Sequence, residues 1–270
     1  MSVEVLERPR DATVEGAMLF LEPPKNGKPV VEYSYGSGEG SVTAIYAPRR
    51  VTIRDARTIA ADLDAEGFEL VPHRSRVRDF WDEAQAGGLA HDEAAALVRH
   101  VTGASRVVVF DHTLRRRSPD AVRQPSTRVH NDYTERSAPQ RVRDLLGDEA
   151  DALLGKRFAL INVWRPVRHP AQDWPLALAD ARTVRPEELI STDIVYPDRR
   201  GEIYGLVQSP SHGWWYYPNM QLDEALLIKC YDSDASRAQF TPHTAFESPL
   251  TPASAPPRES IEFRTIAFFD

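Results

Sequence analysis

The residues with most chemical potential lie in STRVHNDYTERSA, residues 126 to 138, where His130 and Asp132 are two positions apart in a β-type run. On a strand, side chains at i and i+2 point to the same face. One imidazole nitrogen and one carboxylate oxygen would then stand side by side, and a divalent metal could take both. A further histidine would complete the two-histidine, one-carboxylate set that leaves positions open on a non-heme iron(II). Two polar residues on a solvated strand give the same string, so the third ligand has to decide.

Of the eight histidines, His91 opens an H-x-E string with Glu93. It falls at a predicted helix start, where acids answer the helix dipole and side chains two apart diverge. His243, in QFTPHTAFES, is the best third ligand. It lies in a late strand-like segment, and a jelly roll brings strands distant in sequence face to face. His169 and His212 are rivals, each beside a proline- or glycine-containing turn, in RHPAQ and SPSHGWW.

Beyond His243 comes PRESIEFRTIAFF, where Arg258, Ser260, Glu262 and Arg264 alternate with Ile261, Phe263 and Thr265. That pattern gives one charged face. A guanidinium turned into a barrel is costly unless an anion meets it, and a carboxylate meets it in a bidentate fork. The competing expectation is an exposed final strand carrying an Arg–Glu pair.

These residues need a scaffold. At 270 residues, 41% hydrophobic and 27% charged, the chain has the composition of a globular protein with a sizeable core. Its 21 prolines suit many turns and short strands. A net charge of −7 argues against a broad nucleic-acid surface. The single cysteine, Cys230, excludes an intrachain disulfide and a thiolate cluster. The polar N-terminus, MSVEVLERPRDATVE, has no apolar signal core, and no apolar run reaches membrane-spanning length. A cytoplasmic protein with no membrane contact is expected.

Residues 28 to 46 read as a hairpin, and 53 to 66, 74 to 86 and 91 to 103 as helices. Strands follow at RVVVFDHTLRRR, TRVHNDYT and FALINVWRPV, and then over 191 to 209, 213 to 220, 224 to 234, 239 to 250 and 260 to 269. A helix over ERSAPQRVRDLLG, stopping at Gly147, interrupts them. The expected class is mainly β with flanking α-helices, a sandwich or barrel. The chain reads as one domain over 1–270: an N-terminal arm (1–27), a hairpin and helices (28–105), and the β core (106–270).

Together, His130-x-Asp132, His243 and Arg258-x-Ser260 resemble the iron(II)/2-oxoglutarate-dependent oxygenases. R-x-S is the co-substrate-binding pair of their plant and penicillin-pathway branch. There the arginine falls nearer the distal histidine, so the longer gap leaves Arg264 as a rival anchor. Longer stretches, INVWRPVRHPAQDWPLALAD, HGWWYYPNMQLDEALLIKCYDSD and FTPHTAFESPLTPASAPPRESIEFR, are similar to a more specific group. It is the fungal and actinobacterial family that includes gibberellin desaturases, a cephamycin-pathway hydroxylase protein and a meroterpenoid endoperoxidase. The resemblance runs from about residue 28 to the end and leaves the arm outside.

The resemblance implies a double-stranded β-helix, a cupin-like jelly roll. It implies iron(II) on His130, Asp132 and His243, and 2-oxoglutarate chelating that iron through its keto-acid end. The far carboxylate would meet Arg258, with Ser260 and Arg264 assisting and Trp164 and Arg165 nearby. O2 would take the last position, and the reaction would release succinate and CO2 while oxidising an unactivated C–H bond. Hydroxylation, desaturation and cyclisation of a small molecule of specialised metabolism all fit. The alternatives are a catalytically altered jelly-roll metal-binding protein and a cupin-type metal hydrolase or isomerase, which more often uses three histidines.

Several other residues carry expectations. The ring run Trp214 to Tyr217 would wall a pocket or pack in the core with half its rings outward. Asn162 and Trp164 would share a strand face. Asp232 would orient a ligand histidine or cap a turn, and Cys230 would be buried and apolar. Arg115 to Arg117 and Arg199 to Arg200 read as solvated hairpin tips, with an acidic substrate as the alternative.

Overall fold

The computed structural model describes residues 13–24, 29–33, 43–197 and 200–270. Two sheets face each other. The smaller has the order β4 (Phe68–Pro72), β12 (Glu224–Asp232), β7 (Phe158–Pro166), β14 (Glu259–Phe268), β5 (Arg106–Arg116). The larger runs β1 (Thr13–Leu21), β3 (Tyr46–Asp55), β11 (Trp214–Tyr216), β8 (Leu176–Ala179), β13 (His243–Ala245), β6 (His130–Asn131), β10 (Arg200–Leu206), β9 (Leu189–Val195), β2 (Val30–Tyr33).

The middle of the smaller sheet shows why its strands read as unbroken apolar runs. FALINVWRP of β7 is buried at every position. Phe158, Leu160 and Trp164 turn into the space between the sheets, while Ala159, Ile161 and Val163 turn outward under a helix. A strand covered on both faces needs no polar side. That helix is α2 (Leu89–Thr102), which lays Ala90, Ala94, Leu97 and Val98 on the sheet. Each such Leu or Val contributes roughly 1.5–3 kcal/mol by burial. Gly103 ends the helix at φ 71, a left-handed turn that favours glycine, and its N–H donates to the Arg99 carbonyl.

Several expected elements are shorter than predicted, and one local force explains most of them. No helix spans 53 to 66: β3 runs to Asp55, whose side chain accepts from the Arg57 N–H and starts a single 3-10 turn. Asp62 then accepts from the Asp64 and Ala65 N–H groups, and Glu66 from the Asp62 N–H. Short acids bonding nearby backbone offer the chain turns in place of a helix. Likewise, the helix expected over 74 to 86 shrinks to α1 (Glu83–Gly87), with Ser75, Asp79 and Asp82 closing local turns. The helix before Gly147 forms as α3 (Ser137–Leu146), and α4 (Ala150–Leu154) follows it.

The expected N-terminal arm holds a core strand. β1 pairs with β3 and buries Val14, Met18, Phe20 and Leu21. The hairpin predicted over 28 to 46 is only partly seen, since its turn lies outside the described residues. Val31 and Thr43 exchange hydrogen bonds, but β2 pairs with β9 and β3 with β1.

Candidate active site

The two sheets bring the opening residues together. His130 on β6 pairs directly with His243 on β13, and their ring centroids are 4.8 Å apart. The strand expected over TRVHNDYT is only His130–Asn131 long, yet Asp132 still comes to the same side, its Oδ1 3.4 Å from His130 Nε2. One ligand atom from each of His130, Asp132 and His243 lies within 4.8 Å of the others, an arrangement that could hold a metal ion.

The surroundings fix which atoms are free. His130 Nδ1 lies 2.8 Å from the Arg128 carbonyl, and His243 Nδ1 lies 2.9 Å from the Thr241 carbonyl. A carbonyl only accepts, so each Nδ1 carries a proton, and Nε2 is the atom each ring can offer a metal. Burial, then the neighbouring His130, pulls His243 below the usual histidine range and favours the neutral ring. Burial pushes the Asp132 carboxyl up, but the Arg264 guanidinium and His130 outweigh it and hold it well below the usual carboxylate range. Asn162 on β7 donates to Asp132 Oδ2 at 2.6 Å, and Arg264 Nε sits 3.5 Å from the same oxygen. Oδ1 is left facing the histidines.

Strand register builds the rest. Across β14 and β7, Arg264 opposes Asn162, Glu262 opposes Trp164 and Ser260 opposes Pro166. Asn162 and Trp164 therefore share the inner face, as their spacing predicts. Arg264 is held by Glu262 at 2.8 Å, Asp111 at 3.0 Å and the Thr113 hydroxyl at 2.8 Å. Its place is against Asp132, among carboxylates of the protein.

Arg258 is different. It is 3% exposed, donates to the Trp174 carbonyl at 2.5 Å and lies 5.5 Å from the Trp164 ring centre. Burial, then the Arg115 guanidinium beside it, pulls it down to about 9. Its Nε and the Ser260 Oγ are buried and have no hydrogen-bond partner among the described residues; the same holds for Trp174 Nε1 and Trp215 Nε1. These four groups can all donate. Buried polar groups are normally paired, so Arg258 Nε and Ser260 Oγ, two residues apart on one face, are waiting donors that fit an anionic guest. Trp174 also has φ 45, a strained value for a tryptophan.

The comparisons with known proteins agree with this geometry. The family model described as "Oxidoreductase/YMDC permease-like domain" matches residues 18–268. The chain is 33% identical to the Fe(II)/2-oxoglutarate-dependent dioxygenase nvfI of Aspergillus novofumigatus, over 94% of this chain and 96% of that one. It is 33% identical to the hydroxylase/desaturase CTB9 of Cercospora beticola, over 93% of this chain and 85% of the relative. A solved structure titled iron and alpha-ketoglutarate-dependent endoperoxidase NvfI superposes with a TM-score of 0.86 at 32% identity, covering 95% of this chain and 98% of that chain.

The chain belongs to this family of Fe(II)/2-oxoglutarate-dependent dioxygenases. Its mainly β sandwich is the jelly roll of those enzymes, and Fe(II), 2-oxoglutarate and O2 are the cofactor and co-substrates that membership brings. The donor set suits them, with two imidazoles and one carboxylate for iron and unpaired donors at Arg258 and Ser260 for a dicarboxylate. Hydrolase-type sets of three histidines do not match a cluster with Asp132 in it.

Other expectations sort by strand face. Trp215 pairs with Leu178, which pairs with His243, so it shares the inner row; Trp214 and Tyr216 pack in a separate core cluster. Cys230 is buried in the inner core. Asp232 lies away from the histidines, bound by Arg157 and Lys229. Arg165 turns to the far face of β7, against His73 and the Phe80 ring. His212 is 2.8 Å from Glu188, and His91 is 3.0 Å from His112, so neither joins the cluster. Arg199 lies outside the described residues, and Arg200 begins β10. Sequence reasoning missed Arg115 as an inward residue; the signal available was the alternation of Thr113 and Arg115 along β5.

Proposed function

We propose that His130, Asp132 and His243 hold iron(II), and that Arg258 with Ser260 receives the far carboxylate of 2-oxoglutarate. The observation that carries this reading is the convergence of two free Nε2 atoms and one Asp132 oxygen. Iron(II) held there would activate O2, which is the oxidant: one oxygen atom goes into succinate as 2-oxoglutarate loses CO2, and the other is spent on the substrate. The protein's part is positional. Asn162 and Arg264 hold Asp132 with one oxygen free, and the Arg128 and Thr241 carbonyls fix both imidazole tautomers. Arg258, pinned by the Trp174 carbonyl over Trp164, orients the co-substrate.

The substrate is a small molecule oxidised at an unactivated C–H bond by hydroxylation, desaturation or cyclisation. Leu178 and Trp215, in the row of His243, are the walls it would meet. The reading treats the described residues as one oxygenase domain. It sets the enzyme in the cytoplasm, where Cys230 remains a thiol.

Anaerobic titration of the apo-protein with iron(II) and then 2-oxoglutarate tests it. A visible metal-to-ligand charge-transfer band should appear and be absent in His243→Ala. Metal binding without that band would remove the co-substrate assignment. Arg258→Ala should raise the 2-oxoglutarate requirement more than it changes iron affinity; an unchanged requirement would move the anchor elsewhere.

A further inference from the structure

Arg115 lies at the end of β5 and faces Ser260 in the β5–β14 register. Directly opposed residues on antiparallel strands share a face, with Cβ atoms about 4.5–5.5 Å apart. Arg115 therefore projects over the same inner surface as Ser260, Glu262 and Arg258, and it is half-buried. Two arginines side by side repel, and burial raises the cost.

The protein's own acids answer that repulsion only in part, with Glu262 acting on both guanidiniums. Glu262 is nearby but gives its Oε1 to Arg264 at 2.8 Å. Asp173 is bound by Arg117 and by the Arg258 backbone N–H. Among the described residues Arg115 donates to the Gln124 carbonyl at 2.9 Å, a neutral group, and has no salt bridge. Arg258 likewise has a neutral carbonyl, that of Trp174. Arg258 Nε and Ser260 Oγ are thus left without partners, and Arg115 faces Ser260 from the neighbouring strand. Burial pulls both arginines down from the usual range, as expected for cations awaiting an anion.

We propose that Arg115 is a second guanidinium for the far carboxylate of 2-oxoglutarate, meeting it from β5 while Arg258 and Ser260 meet it from β14. The inference rests on the oxygenase reading above. A pair of guanidiniums can bind both oxygens of one carboxylate, and that contact is made by no other part of the co-substrate.

The test compares 2-oxoglutarate with 2-oxopentanoate, which has the same keto-acid end and chain length but no far carboxylate. The iron(II)-loaded protein is titrated with each under anaerobic conditions, as the native chain and as Arg115→Gln and Arg115→Lys. Arg115→Gln should weaken 2-oxoglutarate about tenfold to a hundredfold, the loss of a charged hydrogen-bond partner. It should leave 2-oxopentanoate within about twofold, because no contact to that compound is lost. Arg115→Lys, which keeps the charge and the stem, should recover part of the difference and guards against a misfolded Gln variant.

Equal weakening of both keto acids, or no change in either, overturns the role of Arg115 and leaves the oxygenase reading intact. The second of these outcomes would hand Arg115 to the substrate. A native chain that binds iron(II) but neither keto acid overturns the oxygenase reading itself, and this inference with it.

Discussion

At the scale of single residues, the distinction that matters is between side chains that would touch a metal and side chains that aim them. Asn162 occupies the Asp132 oxygen that does not face His130. Removing such a partner typically lowers metal affinity about 10–100-fold. Asn162→Ala should therefore weaken iron(II) binding by that amount in a competition titration with a chelator, while His130→Ala and His243→Ala abolish it. An unchanged affinity would show that Arg264 alone holds the carboxylate. The approach of Asp132 to His130 was legible in the sequence because period-two spacing survives even beside a strand of two residues. Asn162 was legible only as a neighbour of Trp164 on one face. Asp232 was legible in part: its Oδ1 accepts from the Asp234 N–H at 3.0 Å, the turn role expected of it, but CYDSD gives no sign of Lys229 and Arg157, which also bind it.

At the scale of elements, β7 separates stability from function along one strand. Ile161 is buried under α2, and Asn162 beside it faces the site. Ile161→Ala should cost about 2–5 kcal/mol in urea unfolding and leave iron(II) affinity unchanged, the reverse of the pattern for Asn162→Ala. Similar losses of affinity in both variants would mean that the two faces are mechanically coupled. The 3-10 turn Pro186–Glu188 before β9 offers a pH-dependent case. Burial pushes the Glu188 carboxyl up, but hydrogen bonds from the Arg185 backbone and side chain and from His212 hold it down at about 2. A carboxyl lower in the folded state than in the unfolded one stabilises the fold above its unfolded value, near 4.5. That contribution fades as pH falls toward about 2. Glu188→Gln should lose about 2–3 kcal/mol at pH 7 and show a flatter stability profile between pH 4.5 and 2 than the native chain. Parallel profiles would remove Glu188 as the titrating group. Long, strongly patterned elements such as α2, β7 and β14 were legible in the sequence. The helices expected near 53 and 74 were not, since helical spacing competed with aspartates and a serine that bond their own backbone.

At the scale of the whole molecule, the two halves of the site hang from different sheets. His130 and His243 come from the larger sheet, and Asn162, Arg264 and Arg258 from the smaller one or its entrance. Anything bound between them is a cross-link that exists only when the sandwich is closed. Iron(II) and 2-oxoglutarate should therefore raise the stability of the whole fold by mass action, about 2.7 kcal/mol at a hundredfold excess over Kd. A second, ligand-independent tie lies away from the histidines: Lys229 and Asp232 on β12, both fully buried, with Asp64 and Arg157. Removing one member of a buried charge cluster costs about 3–5 kcal/mol. Lys229→Ala should thus lower the melting temperature yet keep the full upward shift on adding iron(II) and 2-oxoglutarate. His243→Ala should do the opposite and melt near the native apo-protein with no shift. Were Lys229→Ala to lose the shift as well, the charge cluster and the site would belong to one cooperative unit, and the division between a supporting tie and a ligand-closed mouth would fail.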